Sequence, residues 1–89
     1  MYRVHATRRM FQREISSDEV NEVVRFGETI EVYPDDTPYP SRLIKGVVEE
    51  RTLHVVVSDN TKDEELIIIT VYEPDPKLWE MDFVRRKKR

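Results

Sequence analysis

The sequence predicts one α+β domain, with two N-terminal helices packed on a small antiparallel sheet of about four strands. Three observations predict it. Apolar residues first recur every three to four positions and later every second position, the periods of helix and strand. The links between the later segments are short, which favours antiparallel neighbours because parallel ones need a long crossover. And 89 residues leave too little chain for two independent cores.

Residues 3–14 read as the first helix. Val4, Thr7, Phe11 and Ile15 mark one buried face with Met10 beside it, while His5, Arg9 and Arg13 stack as a polar stripe four residues apart. Ser16-Ser17-Asp18-Glu19 opens the second helix. Ser16 or Ser17 caps free amides, and Glu19 stands three after Ser16, as a capping box requires. Val20, Val23 and Val24 form its buried stripe, and Gly27 is a left-handed stop.

Glu28–Tyr33 alternates as a strand, with Ile30 and Val32 on one face. The loop from Pro34 to Pro40 cannot continue it, since its three prolines lack donors. A strand resumes over Arg42–Glu50 and turns at Glu49-Glu50-Arg51. Leu53–Val57 is a strand by β-branching, with Leu53, Val55 and Val57 on one face and His54 and Val56 on the other. A polar turn spans Asp59–Glu65. Leu66–Tyr72 is apolar on both faces, so it is expected to be central or helix-covered. Glu73-Pro74-Asp75-Pro76 ends it, and Lys77–Phe83 reads as a short last helix or an edge segment. The domain is expected to span residues 1–84, with 85–89 a basic tail.

The net charge of −3 hides a segregation. Residues 1–13 and 85–89 hold nine basic residues and no acid, whereas residues 14–84 hold all 18 acids and six bases. Two basic ends meeting in space would make a polyanion site. Zero Cys excludes a disulfide framework and a thiol nucleophile. Apolar runs fall short of the roughly 20 residues that span a bilayer, and Met1-Tyr2-Arg3-Val4-His5 has no apolar core of the signal-peptide kind. A cytoplasmic protein without membrane attachment is expected.

Chemistry-bearing residues are few. His5 stands beside two anion anchors, Arg9 and Arg13, a stripe that suits an RNA phosphate or simply faces water. His54 lies among β-branched residues, either as a satisfied core histidine or as a site residue on the sheet. Tyr72 ends the last strand, with Thr70 on its face, and is either core or a hydroxyl offered to a ligand. Arg42 clamps a phosphate or pairs with Asp35 or Asp36. No phosphate loop or GxSxG elbow occurs, and the acids at 59–65 match no calcium loop. Neither a metal nor another cofactor is expected.

These segments resemble a bacterial family of unknown function, DUF4258. The resemblance is carried by His5-Ala6 with Arg9-Met10, Ile15-Ser16, Glu31-Val32-Tyr33-Pro34, Pro40-Ser41-Arg42, Leu53-His54-Val55-Val56-Val57 and Ile69-Thr70-Val71-Tyr72-Glu73-Pro74-Asp75. It covers roughly residues 4–79 and leaves out the basic end. It implies a RelE/barnase-like fold, grouped with RelE/HigB-like toxins, and a metal-independent ribonuclease in which a 2′-hydroxyl attacks the adjacent phosphate. By that resemblance His54 or His5 acts as acid or base, Tyr72 is a second proton donor, and Arg9 and Arg42 clamp the phosphate. The partners it implies are an antitoxin protein and RNA or the ribosome. RelE-like toxins are usually strongly basic, and this chain departs from them. Two other readings stand beside it: a non-catalytic protein-interaction module with a buried, hydrogen-bonded His54, and a nucleic-acid binder acting through residues 85–89 alone. Leu78, Trp79, Met81 and Phe83 either cap the core or bury against a second copy in a homodimer.

Overall fold

Two helices, α1 (Val4–Arg13) and α2 (Ser17–Phe26), precede four strands, β1 (Glu28–Tyr33), β2 (Ser41–Val48), β3 (Arg51–Asn60) and β4 (Glu65–Tyr72). The computed structural model describes residues 1–88. The strands form one antiparallel sheet in chain order, so the fold is α+β, as expected. α1 lies on β4, and α2 on β2 and β3. Among the described residues no helix is long and apolar enough to cross a membrane.

The capping box of α2 forms in full: the Glu19 N–H donates to the Ser16 hydroxyl at 3.1 Å, and the Ser16 N–H to the Glu19 carboxylate at 3.0 Å. Val20 and Val23 are buried, as their spacing implies. Gly27 is not a left-handed stop. Its φ is −74°, ordinary for any residue, and it is required for space: a Cβ there would stand 2.5 Å from the Val23 carbonyl and 2.6 Å from that of Lys45. The left-handed stop belongs to α1 and is Glu14, with φ 54°.

The buried face of α1 differs from expectation. Val4 and Phe11 are 75% and 88% exposed, while Ala6 is fully buried and Met10 packs on the core. The cause lies upstream of the helix. Tyr2 bridges Ile68 in parallel, the Arg3 N–H donates to the Ile68 carbonyl at 2.9 Å, and the Ile68 N–H to that of Met1 at 2.7 Å. This backbone pairing fixes the rotation at which the helix begins. Ala6, Arg9, Met10 and Arg13 then follow the i, i+3, i+4, i+7 stripe toward the sheet. The same pairing covers β4, which ends the four-strand order rather than standing at its centre.

The helix-side core joins Ile15, Val20 and Val23 to Ile44, Leu53, Val55, Val57, Ile68 and Val71. Gly46 lets α2 approach, since a Cβ there would lie 2.8 Å from a Val23 methyl. In β1 the register breaks around Ile30, and Val32 is 61% exposed, so the two do not share a buried face. β2 and β3 join through Glu49 and Glu50, both left-handed at φ 49° and 68°, the primed hairpin geometry.

Beyond β4 the chain forms neither helix nor sheet edge. It folds back as an irregular hairpin: the Glu80 N–H donates to the Arg85 carbonyl at 2.8 Å and the Lys87 N–H to that of Leu78 at 2.9 Å, with Trp79 bridging Arg86. Asp82 caps its turn by accepting from the Val84 N–H at 2.9 Å. Arg85, Arg86 and Lys87 of the basic end thus belong to this hairpin, and Arg89 lies outside the described residues.

Candidate functional site

β3 and β4 pair His54 directly with Tyr72, and alternation turns both away from the helices. His54 is fully buried there. Its ring meets Trp79 edge to face, with centroids 4.5 Å apart, and Tyr72 at 5.2 Å. Nε2 is 2.7 Å from the Phe83 carbonyl and Nδ1 is 3.2 Å from the Tyr72 hydroxyl. A carbonyl can only accept, so Nε2 carries the proton. In the neutral ring Nδ1 then accepts from Tyr72.

The charge state agrees with this network. Burial pushes His54 below the usual histidine range, and Arg86 and Lys45 push the same way, against the Phe83 hydrogen bond and Glu31. Burial also raises Tyr72 above the ordinary phenol value, so its proton stays on. Nearby, Tyr33 donates to Glu31 at 2.8 Å and is pushed up to about 12 by burial and by that carboxylate.

Tyr72 also lines a cleft of about 270 Å³, together with Arg9 and Arg13 of α1, Thr70 of β4, Glu73 and Asp75, and Leu78, Trp79 and Arg86 of the hairpin. Three guanidiniums face two carboxylates. Glu73 is engaged by Arg51 at 3.2 Å, and Asp75 accepts the Lys77 N–H at 2.8 Å. Arg86 lies over the Trp79 ring at 4.5 Å, with Glu31 4.0 Å away. Arg9 and Arg13 have no ion-pair partner among the described residues. The uncompensated charge of the cleft is therefore positive, and its shape and donors suit a phosphate.

Of the residues singled out from sequence, the structure brings Arg9, Arg13 and Tyr72 to one cleft, with His54 directly behind Tyr72. His5 is exposed on α1 and does not line it. Arg42 is elsewhere: it pairs with Asp59 at 3.4 Å and shares the helix-side face with Ile44, so Lys45 stands beside His54 instead. Sequence reasoning missed Asp75, Trp79 and Arg86 as wall residues. Their signal was weak, since only the return of the chain after Asp82 carries Arg86 back to Trp79. Among the described residues no group of three His, Asp or Glu side chains is placed to hold a metal ion.

A family model described as a domain of unknown function (DUF4258) matches residues 2–73. Comparison with curated proteins and with solved structures gave no match.

Proposed function

The chain belongs to the DUF4258 family, and from the cleft, which Arg9, Arg13 and Tyr72 of the matched stretch line together with Asp75 and Arg86 beyond it, we propose a metal-independent RNA endonuclease. One observation carries this reading: Arg9, Arg13 and Arg86 line one cleft with Tyr72, whose hydroxyl is hydrogen-bonded to His54. Arg9 and Arg13 clamp the non-bridging oxygens of a phosphodiester and stabilise the charge that grows there. The RNA 2′-hydroxyl attacks the adjacent phosphorus and the bond to the 5′ oxygen breaks. Asp75 accepts the 2′ proton, and the Tyr72 hydroxyl turns its proton from His54 Nδ1 to the departing 5′ oxygen. The products are a 2′,3′-cyclic phosphate and a 5′-hydroxyl. His54 acts through Tyr72 as a positioning residue. In this reading the protein is a RelE/HigB-like toxin whose antitoxin meets a surface outside the cleft, for which exposed Val4 and Phe11 on α1 offer apolar area.

A second reading rests on His54. Full burial with both ring nitrogens hydrogen-bonded is what a structural histidine shows, and it favours a non-catalytic interaction module. The two readings part in one experiment. The protein and a Tyr72→Phe variant are incubated in EDTA with labelled single-stranded RNA and with ribosomes programmed with messenger. Cleavage leaving cyclic phosphate ends, lost in the variant, is expected. A folded parent that binds RNA or a protein partner without cutting selects the second reading.

A further inference from the structure

The cleft has two characters. Arg9 and Arg13 make it positive, as a phosphate requires, while Leu78 and Trp79 of the hairpin give it an apolar wall. A phosphate alone has no use for such a wall. Trp79 is 3% exposed and offers a ligand almost nothing itself, whereas Leu78 is 59% exposed. Arg86 covers the indole, with its Cζ 4.5 Å from the ring centroid. Its side chain nonetheless keeps 59% of its surface open. Arg86 borders both the cleft and a neighbouring hollow that it shares with Lys87 and Lys88.

Arg86 is also well held. Trp79 and Arg86 are bridge partners across the hairpin, and such cross-strand partners project their side chains to one side. The Glu31 carboxylate lies 4.0 Å away, and Tyr33 of the same strand meets the guanidinium too. The His54 ring packs edge to face on Trp79. Much of the freedom of this long side chain is therefore lost before any ligand arrives. Glu31 offsets part of its charge, which weakens Arg86 as a phosphate clamp but leaves its plane intact. A guanidinium is flat and weakly hydrated, and stacks on rings as an ammonium does not. With the indole on one side, the other side suits a second flat ring.

We propose that Arg86, backed by Trp79, is a stacking platform for a nucleobase, so that the cleft takes a nucleotide with its base on Arg86 and its phosphate on Arg9 and Arg13.

Resting on the reading of the cleft as an RNA phosphate site, the platform adds what distinguishes a nucleotide from other phosphates. The cleft of about 270 Å³ is near the lower limit of small-ligand pockets, roughly 300 Å³, and suits one nucleotide unit. Unpaired bases are read by stacking on aromatic rings or Arg planes, a contact that every base can make. Bases of a duplex are already stacked on their neighbours, so the platform selects single strands. Leu78 supplies an apolar neighbour for the base.

Trp79 is the single tryptophan of the chain, and its indole N–H resonance reports on the platform. The isotope-labelled full chain is titrated by NMR with adenosine 5′-monophosphate and with ribose 5-phosphate, which has the sugar and the phosphate without the base. Both titrations are repeated on Arg86→Lys, which keeps the charge and loses the plane. The parent is expected to bind the adenosine compound about tenfold more tightly than ribose 5-phosphate, as one stacked base supplies, and to shift the Trp79 resonance only with the base present. In Arg86→Lys ribose 5-phosphate binds as in the parent and the tenfold advantage is lost. Equal affinity of the parent for the two compounds overturns the platform and leaves the phosphate site standing. A base advantage that survives Arg86→Lys overturns it as well. Binding of neither compound to the folded parent removes the phosphate site and the platform together.

Discussion

The Tyr72 hydroxyl lies 3.2 Å from Nδ1 of the buried His54 ring, and the same tyrosine lines the positive cleft. The residue therefore joins a cleft to a sealed histidine. Tyr72→Phe keeps the ring packing and deletes that link. It leaves Nδ1 without a partner in a fully buried site, so unfolding in urea should show a loss of about 1–3 kcal/mol. Under the ribonuclease reading, cleavage should fall by about 100-fold or more while RNA affinity changes little, because the deleted group acts in the transition state.

Arg9 and Arg13 should govern affinity rather than stability. Replacing both with Gln removes two unpaired guanidiniums from the cleft and leaves Ala6 and Met10 on the core. Binding of single-stranded RNA should weaken, with the slope of log affinity against log salt shallower by about 0.7 for each phosphate no longer neutralised. Thermal unfolding should be unchanged. Arg42→Gln, outside the cleft, should leave the slope where it was.

Arg51 ties four segments together. It donates to the carbonyls of Arg13 and Glu14, at 3.2 and 3.3 Å, and to the carboxylates of Glu19 and Glu73, at 2.5 and 3.2 Å. Arg51→Met should cost about 1.5–3 kcal/mol in urea unfolding, the range for hydrogen bonds to charged groups. Glu19 is held below the usual carboxylate range, first by the Ser16 N–H and then by Arg51. Its contribution is present above the unfolded value of about 4.3 and is lost as pH falls through the lower folded value. Comparing unfolding near pH 3 and near pH 6, Glu19→Gln should flatten part of that slope.

The turn after β2 is open to improvement. Glu49 and Glu50 both occupy left-handed backbone, which costs an L residue roughly 1–2 kcal/mol at each position. Glu49→Asn with Glu50→Gly supplies the preferred pair for this turn. The melting temperature should rise by about 4–8 °C for each kcal/mol recovered, with RNA binding unaffected.

What the sequence disclosed and what it hid divide along one physical line. The capping box of Ser16 and Glu19, the faces of β3 and the antiparallel run of the strands follow from local spacing and short links and were readable. The rotation of α1 was not, because it is set by Met1–Arg3 hydrogen-bonding to Ile68, far along the chain. Gly27 misled for a related reason: its lack of a Cβ answers to the Lys45 carbonyl of another strand, not to its own φ. Arg42 needed the β2–β3 register, which sets Lys45 opposite His54. Arg86 needed the fold-back of the hairpin after β4. Each miss is a long-range interaction without a local signature.

The hairpin after β4 follows the sheet in chain order, and this has a consequence for limited proteolysis. The four strands are complete at Tyr72, so a fragment ending at Pro76 contains both helices and the whole meander. It lacks Trp79 and Arg86, which form one wall of the cleft opposite Arg9 and Arg13. It also lacks the Phe83 carbonyl and the Trp79 ring that meet His54. The scaffold and the cover of the histidine are thus separable parts of one chain.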